Sequence, residues 1–123
     1  ASDLSFMDEA PPLREAVRLL LDGTAKGRVD PKGEIGGMLN TGMIASHPDH
    51  ADLAHELAQR RAAFRELLAA KLRHWLAPAR ANRLSRYIVA VMQGLAIQAR
   101  DGYSLKDLRE VASEALNAIP ASP

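Results

Sequence analysis

The stretch of residues 84–116 constrains the fold most, because it predicts two helices joined by a sharp corner. In its first half, apolar side chains recur at intervals of three or four residues, at Leu84, Ile88, Val91 and Leu95. This spacing places the four side chains on one face of a helix, whereas a strand would need alternation. The first half of the stretch therefore predicts a helix that ends near residue 100.

The corner itself is predicted by several local signals that agree. Gly102 can adopt the left-handed conformation that commonly ends a helix. Ser104 is a typical N-cap residue, and Asp107 follows it at the spacing of a capping box. Tyr103 and Leu108 stand at the two positions of a hydrophobic staple. A second helix is therefore expected to begin after Ser104 and to run to about residue 116.

The first of these two helices is apolar on more than one side, since Tyr87, Ala90, Met92 and Ile97 lie off its main stripe. A helix that is apolar nearly all round must be covered nearly all round. A chain of this length has few other helices to cover it, so we expect a homodimer. The predicted interface residues come from both helices: Tyr87, Val91, Gly94, Leu95, Gln98, Leu105, Leu108, Val111, Ala112 and Ala115.

Length and composition predict a single all-α domain. The chain has 123 residues, 47% hydrophobic and 25% charged, which is ordinary for a globular protein with a real core. It is rich in helix-forming residues, has few aromatic ones, and shows no alternating pattern long enough for a strand. We interpret residues 1–123 as one domain with a core over about residues 12–119. Residues 1–10 are expected to be a leader or the remnant of a longer chain.

The remaining helices are predicted from periodicity and from breaking residues. Pro12 can start a helix, and the apolar spacing after it predicts a first helix over about residues 12–25. A glycine-rich connector (residues 23–37) and a short apolar helical segment (residues 37–46) follow. A long helix is expected from Ser46 to about residue 76, where Pro78 ends it. A short basic link is then expected to lead into the helix that begins at Leu84.

Catalysis and metal binding have little support in the sequence. There is no cysteine, so thiolate metal sites and cysteine nucleophiles are excluded. The serines lie in no nucleophile-elbow context, and no paired carboxylates stand out, so we expect neither an enzyme nor a cofactor. The cluster that most resembles a metal site consists of His47, Asp49, His50, Asp52 and His55. It does not match the H-E-x-x-H pattern, so we expect these side chains to be exposed or to cap a helix and not to bind a metal.

Nucleic-acid and membrane binding are also not predicted for this chain. A net charge of +1 gives no electrostatic case for nucleic acid, and no helix-turn-helix pattern is visible. The longest nearly apolar run, residues 87–97, is far shorter than the roughly 20 residues that a membrane-spanning helix needs. A cytoplasmic protein is therefore expected.

Several apolar side chains are candidates for a ligand pocket, although in a typical bundle such residues simply form the core. Methionine and a lone tryptophan adapt to irregular cavities, and a few polar groups can orient a ligand. The candidate pocket residues are Met38, Asn40, Thr41, Phe64, Trp75 and Met92.

Two segments resemble the TetR-type transcriptional regulators. Residues 36–43 read GGMLNTGM, and residues 92–104 read MQGLAIQARDGYS. In one large branch of that family a similar Gln-Gly-Leu run ends the penultimate helix, and the pattern Leu-x-x-Val-x-x-x-Ala-Leu follows in the last one. Leu108, Val111, Ala115 and Leu116 match that pattern. The resemblance covers about residues 12–119.

The resemblance implies a ligand-sensing and dimerising C-terminal domain of a repressor. The family's DNA-binding domain, three N-terminal helices, is missing from this sequence, so DNA would be bound only through that domain. The resemblance places a pocket for a small apolar or amphipathic molecule among the earlier helices, and a four-helix dimer interface on the last two. The alternative is a purely structural helical dimerisation module with a filled core. An enclosed cavity of about 300 Å³ or more would favour the ligand-sensing hypothesis.

Overall fold

A computed structural model describes residues 4–27 and 51–121 of the chain. Over these residues it has no strand, and the prediction of an all-α protein is confirmed. The predicted glycine-rich connector, the short helix before Ser46 and the start of the long helix lie outside the described residues. The described elements are a 3₁₀ helix (Ser5–Glu9) and the helices α1 (Leu13–Ala25), α2 (Ala51–Leu72), α3 (Pro78–Arg100) and α4 (Leu105–Leu116).

Helix α3 lies at the centre of the fold, because it packs against α1, α2 and α4. Of the predicted apolar stripe, Leu84, Ile88 and Leu95 are buried under the other helices, whereas Val91 is only partly buried. Met92, which was predicted to lie off the stripe, is fully buried. All four described helices contribute to one hydrophobic core. The periodic apolar spacing of α3 therefore decides how the other three helices are arranged.

The packing of α1 joins the two ends of the described chain. Its buried side chains, among them Leu13, Val17 and Leu20, lie against α3 and α4. The Arg14 side chain donates from Nε to the carbonyl of Ile119, 3.0 Å away, across a separation of 105 residues. The first and the last helix are therefore neighbours.

Helix α3 begins earlier than predicted, so the prediction of a basic link before Leu84 is wrong. Pro78 lies in the first turn of α3, where its missing N–H needs no partner and its fixed φ suits the helix. Ala81 in the next turn is fully buried. The three arginines of the predicted link are exposed on the helix surface: Arg80, Arg83 and Arg86.

The corner between α3 and α4 has the predicted left-handed glycine. Gly102 has a φ of +96°, and its N–H donates to the carbonyl of Ala99 at 3.1 Å. The N–H of Tyr103 donates to the carbonyl of Gln98, also at 3.1 Å. These are the two hydrogen bonds of a Schellman motif, which satisfies carbonyls at the end of a helix.

The predicted start of α4 is also confirmed. The backbone N–H of Asp107 donates to Oγ of Ser104 at 3.1 Å, so Ser104 is the N-cap. Of the predicted staple pair, Leu108 is buried in the core whereas Tyr103 is exposed. The corner is therefore fixed by hydrogen bonds at both helix ends.

The core extends further toward the N-terminus than the predicted boundary at about residue 12. Leu4 and Met7 are only 2% and 0% exposed and belong to the hydrophobic core. Met7 is carried by the 3₁₀ helix Ser5–Glu9. This element is too short to show helical periodicity in the sequence, which is why residues 1–10 were predicted to be a leader.

Polar contacts fasten this N-terminal segment to the end of α2. Lys71 donates from Nζ to both carboxylate oxygens of Asp8, at 2.8 and 3.0 Å. The hydrogen bond from Lys71 is the main cause of a lowered pKa of Asp8. Trp75 donates from Nε1 to the carbonyl of Pro11 at 2.9 Å. The segment that precedes α1 is therefore tied to the turn between α2 and α3.

Candidate functional site

The three described residues of the predicted ligand pocket share the hydrophobic core. Phe64 on α2 and Met92 on α3 are buried, and Trp75 is partly buried and packs against the same core. The other three residues, Met38, Asn40 and Thr41, lie outside the described part of the chain. The structure therefore places three of the six predicted pocket residues in one core, and the prediction for the other three is not tested.

Within the described residues, the buried polar side chains of this core are already hydrogen-bonded. The hydroxyls of Thr24 and Ser85 are buried, but each donates to a carbonyl of its own helix, at 2.9 and 2.7 Å. Over residues 4–27 and 51–121, no buried side-chain nitrogen or oxygen is without a hydrogen-bond partner. Any ligand within this part of the core would be held by apolar contacts.

Four of the ten predicted interface residues lie inside the protomer. The chain's own helices cover their side chains, so these residues are not on the surface that a partner would meet. The spacing of apolar residues identified a face to be covered but did not distinguish a neighbouring helix of the same chain from a second copy. The four residues are Leu95, Leu108, Ala112 and Ala115.

The other six predicted interface residues remain at least partly accessible. Tyr87, Leu105 and Val111 are exposed. Val91, Gly94 and Gln98 are partly buried. The accessible part of the predicted interface therefore includes residues of both α3 and α4.

An accessible apolar stripe runs along α3, and we call it the α3 stripe. Tyr87 and Ile97 are 40% and 43% exposed, Ala90 is exposed, and Val91 and Gly94 are partly buried. These five residues follow the spacing i, i+3, i+4, i+7 and i+10 and so share one side of the helix. A Cβ added at Gly94 would meet no atom within 4 Å. Nothing in the described fold therefore requires a glycine at this position, although glycine costs about 0.5–1 kcal/mol in a helix interior.

An open groove of about 460 Å³ lies between α1 and α4, and sequence reasoning did not predict it. Helix α1 and its C-cap contribute the charged side chains Arg18, Asp22 and Lys26. Helix α4 contributes Arg109, Ala112, Ser113 and Leu116. The three described ligand candidates, Phe64, Trp75 and Met92, do not line it.

Asp22 holds two cations of this groove in place. Its Oδ1 accepts from Nε of Arg109 at 2.8 Å, and its Oδ2 is 3.0 Å from Nζ of Lys26. The hydrogen bonds from Arg109 and then from Lys26 lower the pKa of Asp22 from 3.8 to about 2, against the opposing effect of burial. Asp22 is therefore ionised throughout the neutral range.

The candidate metal cluster is only partly described. His47, Asp49 and His50 lie outside the described residues, whereas Asp52 and His55 are exposed at the start of α2. Among the residues that the structure describes, no three histidine, aspartate or glutamate side chains are grouped closely enough to hold a metal ion.

No protein-family model, curated protein or solved structure matches this chain. Within the described ranges, none of the helices combines the length and the apolar character that crossing a membrane requires.

Proposed function

We propose that this chain is the small-molecule-sensing and dimerisation domain of a TetR-like transcriptional repressor. DNA binding is assigned to a helix-turn-helix domain outside this sequence. The observation that carries the proposal is the α3 stripe, which continues the predicted dimer face on the accessible side of the central helix. The two sequence segments that resemble the TetR family support the same assignment.

The α3 stripe suits a second copy of the same chain. Exposed apolar side chains on one helix gain free energy when another apolar surface covers them. Gly94 leaves the middle of the stripe without a side chain, and the space beside it is open, so a partner helix can approach closely. A specific interface of ordinary size buries about 1,600 Å² in total, and Leu105 and Val111 of α4 add exposed apolar area.

Sedimentation equilibrium of the full chain at micromolar concentration tests the dimer. We expect a dimer for the parent and a weakened dimer for Ala90→Glu, because the new carboxylate would be buried in the interface without a partner. The matched control is Ala63→Glu, which makes the same change at an exposed position of α2. A monomeric parent would contradict the proposal, as would equal effects of the two substitutions.

The alternative function is a structural dimerisation module without a ligand pocket. The burial of Phe64 and Met92 in the common core favours it, because both side chains already have packing partners. Trp75 is the only tryptophan and packs against the same core, so its fluorescence reports on this region. Titration with the neutral dye N-phenyl-1-naphthylamine should quench Trp75 saturably if a pocket accepts apolar molecules. No saturable quenching would favour the structural module.

A further inference from the structure

We propose that the groove between α1 and α4 binds a small amphipathic carboxylate, such as a medium-chain fatty acid. Arg109 and Lys26 would hold the carboxylate, and the apolar part of the ligand would lie against Ala112 and Leu116. This site uses none of the described residues predicted for the ligand pocket, which are Phe64, Trp75 and Met92. The inference does not depend on the proposed regulatory function.

The charges of the groove favour a single negative charge on the ligand. Arg18 is paired with Glu15, to which it donates from Nε at 2.9 Å and from a terminal nitrogen. Arg109 and Lys26 share the one carboxylate of Asp22. Three cations therefore stand against two carboxylates, which leaves one positive charge uncompensated in this set.

The hydrogen-bonding groups of Arg109 and Lys26 are only partly used. Arg109 contacts Asp22 through Nε, and over the described residues its two terminal nitrogens have no hydrogen-bond partner. Among the residues that the structure describes, Lys26 has one partner, Asp22, for its three donors. A guanidinium with free terminal nitrogens binds carboxylates well because its donors match the spacing of the two oxygens.

Asp22 acts as a positioning residue for this cation pair. Its two oxygens each contact a different cation, so it holds Arg109 of α4 next to Lys26 at the end of α1. Without it the two cations would repel each other. A ligand carboxylate would meet two cations that the fold has already brought together, which reduces the ordering cost of binding.

The size and the apolar side chains of the groove indicate more than an inorganic ion. Its volume of about 460 Å³ falls in the range of small-molecule pockets, about 300–1,000 Å³. Ala112 and Leu116 line it beside Ser113, and Ser113 can donate or accept one more hydrogen bond. An acyl chain would lie against both side chains and would gain free energy mainly by covering Leu116, which is partly accessible, since Ala112 is already buried.

The test is an NMR titration of the full, isotope-labelled chain with sodium octanoate below its micellar concentration. We expect saturable shifts of the amide signals of Lys26, Arg109, Ser113 and Leu116. Acetate has the carboxylate without the acyl chain, and 1-octanol has the chain without the charge. We expect each of them to bind at least about tenfold more weakly than octanoate. Comparable binding of octanol would overturn the role of the cations, and shifts centred on Met92 would place octanoate in the core instead.

Variants assign the site to individual side chains. Arg109→Gln should weaken octanoate binding on the order of tenfold, since it removes a charged hydrogen-bond donor. The matched control Arg83→Gln removes an exposed arginine of α3 outside the groove and should leave the affinity unchanged. If Arg109→Gln does not fold, Ser113→Gln decides, because it fills the groove and keeps every charge. Unchanged affinity in Ser113→Gln, or no octanoate binding by the parent, would refute the proposal.

Discussion

Replacement of Gly102 by valine should lower the free energy of unfolding by about 1–2 kcal/mol. Gly102 has a φ of +96°, and the left-handed conformation costs a residue with a Cβ roughly 1–2 kcal/mol. An added Cβ would meet no atom within 4 Å, so the cost comes from the backbone conformation and not from a clash. The two hydrogen bonds of the Schellman motif resist a change of φ that would relieve it.

Thermal unfolding followed by far-ultraviolet circular dichroism measures this cost. For a domain of about this size, 1 kcal/mol corresponds to a shift of roughly 4 °C in Tm, so Gly102→Val should unfold about 4–8 °C below the parent. Gly102→Asn is the matched control, since asparagine adopts the left-handed conformation more readily than most residues. It should recover most of the loss at the same protein concentration.

Two results would refute this reasoning about the corner. If Gly102→Val and the parent unfold at the same temperature, Gly102 does not hold the left-handed conformation in solution. If valine and asparagine destabilise the protein equally, the cost depends on the presence of any side chain and not on its tolerance of positive φ.

Three further predictions concern the charged groove, the core and DNA. Asp22→Asn should cost about 1 kcal/mol at pH 7. Because the pKa of Asp22 is lowered from 3.8 to about 2, the difference from the parent in denaturant titrations should be constant above about pH 5 and should be lost as the pH falls through about 2. Met92→Ala, at a fully buried position, should cost about 2–5 kcal/mol in the same titrations, and a smaller loss would mean that the core is not closely packed there. This chain alone should bind operator-like and scrambled DNA duplexes equally weakly at about 150 mM salt, because its net charge of +1 gives little counterion release. Binding that depends on the DNA sequence would contradict this prediction and would mean that this domain itself recognises DNA.

The parts of the fold that depend on neighbouring residues could be predicted from the sequence. The corner at Gly102 and the N-cap at Ser104 were predicted because each signal lies within a few residues of the structure that it forms. The start of α3 was missed because proline both ends one helix and suits the first turn of the next, and only packing distinguishes these roles at Pro78. The burial of Met7 was missed because its 3₁₀ helix has only 5 residues, too few to show a periodic pattern.

The candidate sites depend on contacts between distant parts of the chain, which the sequence does not reveal. The pair of Arg109 and Asp22 that forms the groove spans 87 residues, and each residue alone is an ordinary exposed helix charge in the sequence. The spacing of Leu95 and Tyr87 indicated apolar faces of α3, but only the structure shows that its own helices cover Leu95 and leave Tyr87 exposed.

The neighbouring positions of α1 and α4 have a consequence for synthesis on the ribosome. Among the described helices, the apolar face of α1, with Leu13, Val17 and Leu20, is covered by α3 and α4, which are made after it. At about 5–20 residues per second, the roughly 90 residues between the end of α1 and the end of α4 take on the order of 5–20 s. During this interval α1 lacks the surface that it packs against, and the nascent chain presents an apolar face suited to chaperone binding. Folding of the complete core must therefore wait until translation of this region is nearly finished.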